Sequence, residues 1–134
     1  MNNLSDLGKL VLRLTVGLLL LLHGVSKLKN GVDFIGPMLI QHGLPAQLAY
    51  LSYVGEVLAP ALLLVGLWSR IAALVVVVNM LFAVFLMHMS QLGDLSQSGG
   101  WALELQAFYL FTSVAIALLG AGRYSVGGSS GRYN

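Results

Sequence analysis

The sequence predicts an all-α integral membrane protein, built as a four-helix bundle with antiparallel up-down connections. Three observations support this fold class. The 134 residues are 57% hydrophobic and only 9% charged, which is roughly a third of the charge of an ordinary soluble domain. Their mean hydropathy is +0.85, and four apolar segments approach the roughly 20 helical residues that cross a bilayer. Such a composition argues against both a soluble globule and a disordered chain.

The four predicted spans cover about residues 7–26, 47–67, 70–89 and 102–122. The valine run at 75–78 would favour a strand in water. In lipid a segment must satisfy its own backbone hydrogen bonds, so we predict helix there. Apolar residues at 34–40 indicate a short helix at the membrane interface. We predict one domain over residues 1–126 and a flexible, Gly- and Ser-rich tail over residues 127–134.

Charge asymmetry predicts the orientation of the spans. An even number of spans puts both termini on one side, together with the turn at 68–70. That side carries Lys9, Arg13, Arg70, Arg123 and Arg132, whereas the other side carries Lys27 and Lys29. The positive-inside rule therefore places both termini in the cytoplasm. The N-terminal segment lacks a small-residue cleavage site, so we expect it to remain as a span.

Composition also excludes several classes of function. The chain has no cysteine, which excludes disulfides, iron–sulfur ligation and a dithiol relay within it. A net charge of +2 is too small to indicate nucleic-acid binding. The histidines and carboxylates show no local ligand spacing such as HxxxH or ExxH, so no metal site is predicted. We find no conventional haem or flavin motif.

Polar residues at membrane depth are the candidate functional groups, because they are costly there and usually face a bundle interior, a cavity or a partner. Antiparallel helices would bring five of them towards one leaflet, as a candidate ligand-binding cluster: His23, Lys27, Glu56, His88 and Glu104. Such a set could hold the polar group of a lipid-soluble molecule and exchange a proton with it. No residue is assigned a catalytic role.

Structural interpretations of the same residues stay open. Glu56 could instead pair with Arg13, since their depths differ by about 7 Å at helical rise, so we also predict Arg13–Glu56 as a candidate structural ion pair. The histidines and Lys27 could be polar helix ends at the headgroups. Asn79 is interpreted as a contact between helices. Pro60 is expected to kink the second span and free a carbonyl near Glu56.

Short sequence blocks follow one another in a characteristic order. They are Arg13-Leu-x-x-Gly17, His23-Gly24-x-x-Lys27, Glu56 with Pro60, Leu64-Val-Gly66, Ser69-Arg70, Ala83 with His88, Glu104, and Gly120-Ala-Gly122-Arg-Tyr124-Ser125-Val126. Together they resemble the DoxX family of small four-helix bacterial membrane proteins over residues 8 to 126. The family often has an acidic residue where this chain has Gly127, so any role of that acid is absent here.

The resemblance implies a redox setting in the bacterial inner (plasma) membrane. Some relatives are membrane subunits of thiosulfate:quinone oxidoreductase, and others belong to oxidoreductase complexes of oxidative-stress defence. It implies quinone or quinol as the ligand, with electrons passing through that ligand or a soluble redox partner protein. The alternative is a non-enzymatic membrane scaffold, assembly factor or carrier. Small-residue helix faces are compatible with a homodimer, which a transporter or channel would require.

Overall fold

The computed structural model describes residues 3–134, and its regular structure is helical. Five helices follow one another: α1 (Asn3–Asn30), α2 (Ile35–Gln41), α3 (Ala46–Val65), α4 (Ser69–Gln91) and α5 (Glu104–Leu119). Within residues 3–134 the β-type pairing is limited to an isolated bridge between Leu95 and Trp101. The predicted all-α class is confirmed, and α2 matches the short helix predicted around residues 34–40.

Helices α1, α3 and α4 are long and apolar enough to cross a membrane, with 28, 20 and 23 residues. Helix α5 is also apolar, but its 16 residues extend only about 24 Å at helical rise. That is shorter than a hydrocarbon core of roughly 30 Å. The span predicted over 102–122 is therefore longer than the observed helix. Helix α5 ends before Gly120, whose φ of 84° lies in the region that favours glycine.

Helices α3 and α4 each contain a π-helical turn, Val54–Leu58 and Val84–His88. Pro60 follows the first turn and has no N–H to donate to the carbonyl of Glu56, four residues earlier. That carbonyl faces Gly24 of α1, where an added Cβ would overlap it. A π turn accommodates an extra residue and changes the direction of the side chains around it. Glu56 and His88, both candidate site residues, lie within these two turns.

The main core lies between α1, α3, α4 and α5. Its buried members are Val16, Leu20, Ala59, Leu63, Ala72, Ala73, Val76, Met80, Tyr109 and Ile116. Glycine allows close helix contact at two places, because Gly17 packs against Leu64 and Gly55 packs against Asn79. A second cluster of Val32, Ile35, Leu39 and Ala49 holds α2 against the start of α3.

Most of residues 127–134, the predicted flexible tail, are exposed, but the end of this segment contacts the start of α4. Asn134 is only 6% exposed, and its side-chain oxygen accepts a hydrogen bond of 3.0 Å from the backbone N–H of Ser69. The backbone N–H of Arg70 donates to the carbonyl of Tyr133 at 3.0 Å. The first N–H groups of a helix have no partner within it, so this segment caps α4. Its glycine content alone did not reveal that role.

Candidate functional site

An ion pair between Lys27 and Glu56 lies at the centre of the candidate site. Lys27 is near the end of α1 and Glu56 is in the π turn of α3, with side chains 23% and 7% exposed. A charge this far from water needs a charged partner. The hydroxyl of Tyr53 also donates to the backbone carbonyl of Lys27 at 3.3 Å. The structure therefore brings these two members of the predicted cluster into direct contact.

Tyr109 of α5 is a buried neighbour of His23 and lies near Glu56. The imidazole of His23 packs edge-on against the Tyr109 ring, with centroids 6.1 Å apart and an interplanar angle of 88°. The sequence alone assigns Tyr109 no site role. The signal that could have found it is a tyrosine inside an apolar helix, since a buried hydroxyl usually needs a polar neighbour.

His88 belongs to a different polar group, which links α4 to α5. Its Nδ1 lies 2.7 Å from Oε1 of Gln91, and its Nε2 lies 3.4 Å from Nε2 of Gln106. These contacts fit a neutral ring that donates from Nδ1 and accepts at Nε2. Oε1 of Gln106 is buried and has no hydrogen-bond partner in the described part of the chain. The contacts of His88 are thus separate from the ion pair.

Glu104 is exposed at the first residue of α5, and its carboxylate lies against Gly100. An acidic side chain in the first turn interacts favourably with the positive end of the helix dipole. Its position accounts for the start of α5 and does not bring it to the ion pair.

The predicted Arg13–Glu56 ion pair needs correction, because both residues have other partners. The buried guanidinium of Arg13 donates to the backbone carbonyls of Leu63 at 2.8 Å, Ala121 at 3.0 Å and Tyr124 at 2.6 Å. These carbonyls lie in the last turn of α3 and just beyond α5. Carbonyls at helix C-termini lack helical partners and carry partial negative charge. They satisfy Arg13 without a carboxylate.

An apolar cavity of about 430 Å³ opens beside the ion pair, between α2, α3 and α4. Its walls include Leu51, Val54, Ile71, Leu74, Val78 and Phe82, and its polar lining includes Lys27, Glu56 and Asn79. This volume lies within the range of small-molecule sites, which are mostly apolar with a few polar groups that orient the ligand. Within residues 3–134, no group of three or more His, Asp or Glu is placed to hold a metal ion.

The chain thus combines helices that are long and apolar enough to cross a membrane with an open apolar cavity that Lys27 and Glu56 line. The DoxX family profile matches residues 8–89, more than half of the chain. The chain is also 30% identical over 124 residues to CatD of Bacillus subtilis (strain 168), which is provisionally named an oxidoreductase; the alignment covers 90% of this chain and 85% of CatD. No solved structure matches. The protein belongs to the DoxX family, as its sequence blocks predicted.

Proposed function

We propose that this protein is a membrane subunit of a quinone-linked oxidoreductase system and binds a quinone or quinol between its helices. The system would resemble thiosulfate:quinone oxidoreductase or act in oxidative-stress defence. The observation that carries the proposal is the apolar cavity that ends on Lys27 and Glu56. Membership in the DoxX family and the oxidoreductase name of CatD support it.

The residues of the cavity fit such a ligand. A quinone, when bound, supplies two-electron redox chemistry coupled to protons. The ammonium of Lys27 can donate a hydrogen bond to a carbonyl oxygen, and the carboxylate of Glu56 can accept one from a hydroxyl. The mostly apolar walls can pack against the ring and the apolar tail of the ligand. Tyr109 lies near Glu56, and its ring contacts the imidazole of His23. This imidazole is exposed and offers a place to exchange a proton.

We further propose that α1, α3, α4 and α5 form an antiparallel four-helix bundle in the bacterial inner (plasma) membrane, with both termini in the cytoplasm. Helix contacts support the antiparallel order. Gly17 of α1 packs against Leu64 of α3, whereas Gly24, two turns later, packs against Glu56, which lies earlier in α3. The short helix α5 would then need polar ends or local thinning of the bilayer.

Quinone that co-purifies with the protein tests the proposed function. The protein would be purified in a mild detergent, its lipids extracted, and the quinone quantified per mole of protein. We expect near-stoichiometric quinone in the wild type and loss of most of it in Glu56→Gln. Asp94→Asn, which removes a carboxylate from an exposed loop, is the matched control and should retain it.

A double variant keeps this test informative if Glu56→Gln is unstable. Lys27→Met combined with Glu56→Gln removes both charges while keeping similar side-chain volumes, so the fold is retained and the polar end of the cavity is lost. Quinone that is absent from the wild type, or bound equally by every variant, would contradict the proposal.

The alternative is a non-enzymatic scaffold, assembly factor or carrier. The observation that favours it is that Glu56 already has an ionic partner in Lys27, as a structural carboxylate would. In that case Glu56→Gln lowers thermal stability without changing the co-purified lipids. Native mass spectrometry of the same sample would also reveal a homodimer or a bound soluble redox partner protein.

A further inference from the structure

Asn79 is a polar residue within the apolar helix α4, and it has no role in the quinone binding proposed above. Its side-chain amide makes no hydrogen bond to any residue in the described range 3–134, and it lines the cavity beside Glu56. An amide without a hydrogen-bond partner is costly in an apolar environment. The contact of Asn79 with Gly55 of α3 fits the contact between helices predicted from the sequence, but it leaves the hydrogen-bonding groups of the amide unused.

The π turn of α3 leaves room for this amide. Gly55 lies directly against Asn79, and a Cβ added at Gly55 would come within 2.5 Å of Cγ and 2.6 Å of Oδ1 of Asn79. Any larger residue at this position would push the amide away. The next residue, Glu56, carries the ion pair with Lys27. Gly55 thus leaves room for the uncharged amide of Asn79. This amide and the Lys27–Glu56 ion pair line the same apolar cavity.

We propose that Asn79 is a specificity-determining residue, whose amide hydrogen-bonds an oxygen atom of a lipophilic ligand in the cavity. The amide offers both a donor and an acceptor, so it suits a carbonyl or a hydroxyl oxygen. A hydrocarbon chain, such as the acyl chain of a lipid, leaves the amide unpaired and binds less well. The inference rests on the proposed binding cavity but does not require a redox-active ligand.

Three probes with the same ten-carbon chain test this inference: decylubiquinone, 4-decylphenol and decylbenzene. Their affinities for the purified protein would be measured by calorimetric titration in one detergent. Asn79→Leu keeps the branched shape of the side chain and removes the amide. We expect it to weaken the two oxygen-bearing probes about tenfold, the scale of one lost hydrogen bond. Decylbenzene should bind equally well or better.

Gln106→Leu is the matched control, because it makes the same chemical change in α5 at a residue that is not part of the cavity lining. It should leave all three affinities unchanged. Asn79→Ala is a second variant in case Asn79→Leu does not fold. It also lacks the amide and should weaken the oxygen-bearing probes more than decylbenzene.

The outcomes separate this inference from the proposed function. Equal changes for all three probes, or no change for any, would overturn the role of Asn79. Selective loss of the oxygen-bearing probes, with no quinone in wild-type extracts, would uphold Asn79 and overturn the quinone function. A wild type that binds none of the probes, or prefers decylbenzene, would overturn the ligand site itself.

Discussion

The charge of Glu56 is tolerated among apolar helices because Lys27 neutralises it. Glu56→Gln would leave the Lys27 ammonium without its partner. We expect this variant to lower the free energy of unfolding by about 2 kcal/mol. Breaking a fully buried pair costs about 3–5 kcal/mol, and the loss is smaller here because Lys27 retains some exposure. Lys27→Met combined with Glu56→Gln should regain most of the loss in denaturant titrations. Strictly additive losses would show that the two side chains do not interact.

The sequence identified Lys27 and Glu56 as site candidates because charged residues are rare inside apolar spans. It failed to predict their partners. Helical rise gives the depth of a residue, but the direction in which its side chain faces depends on how each helix is rotated. Arg13 and Glu56 have similar depths, yet Arg13 faces the free carbonyls at the helix ends. Sequence spacing therefore predicted which residues are polar at depth, but not which ones meet.

Arg13 acts at the scale of elements, since it holds the ends of α3 and α5 to α1. Arg13→Met removes three donors from buried carbonyls and should lower the free energy of unfolding by about 3 kcal/mol. Arg132→Met, at an exposed residue, is the control and should change it by less than about 0.5 kcal/mol. Arg13→Met and Glu56→Gln should be additive when combined, because they break separate contacts. A strong departure from additivity would instead support the Arg13–Glu56 ion pair that was predicted from the sequence.

The contact between α1 and α3 depends on Gly24. Gly24→Ala would place a Cβ on the backbone carbonyl of Glu56, which cannot move as a side chain can. We expect a loss of about 3 kcal/mol in the free energy of unfolding. Gly8→Ala in the same helix is the matched control, because nothing lies near its added Cβ. It should stabilise the helix by about 0.5–1 kcal/mol. Equal stability of the two variants would contradict the close helix contact.

The helices could be predicted from the sequence where a long run of apolar residues determines them. The helices α1, α3 and α4 follow from long apolar runs, and each overlaps one of the predicted apolar segments. Helix α5 is shorter because Gly120 adopts a conformation that ends it, and this cannot be read from hydropathy. The π turns also escaped prediction, since Pro60 indicates a lost hydrogen bond but not the form the chain takes around it. The cap at Asn134 depends on a long-range contact with α4.

At the scale of the whole molecule, the absence of native cysteine permits a direct test of topology. Ser5→Cys, Ser98→Cys and Ser129→Cys each introduce one thiol at an exposed residue. With both termini in the cytoplasm, a membrane-impermeant maleimide should label the residue-98 variant in intact spheroplasts. The other two should react only after the membrane is permeabilised. Labelling of residues 5 and 129 from opposite sides would contradict the even number of spans.

The π turn at Val54–Leu58 has a consequence for how this protein tolerates insertions and deletions. A helix with a surplus residue can lose one and remain helical. Deleting Val57 would shorten α3 by only about 1.5 Å, but it would convert the π turn to α-helix and so change the direction of the Glu56 side chain. The carboxylate would leave Lys27 while the hydropathy of the segment stayed almost the same. A single codon deletion could therefore remove the polar end of the cavity and still leave an intact membrane span.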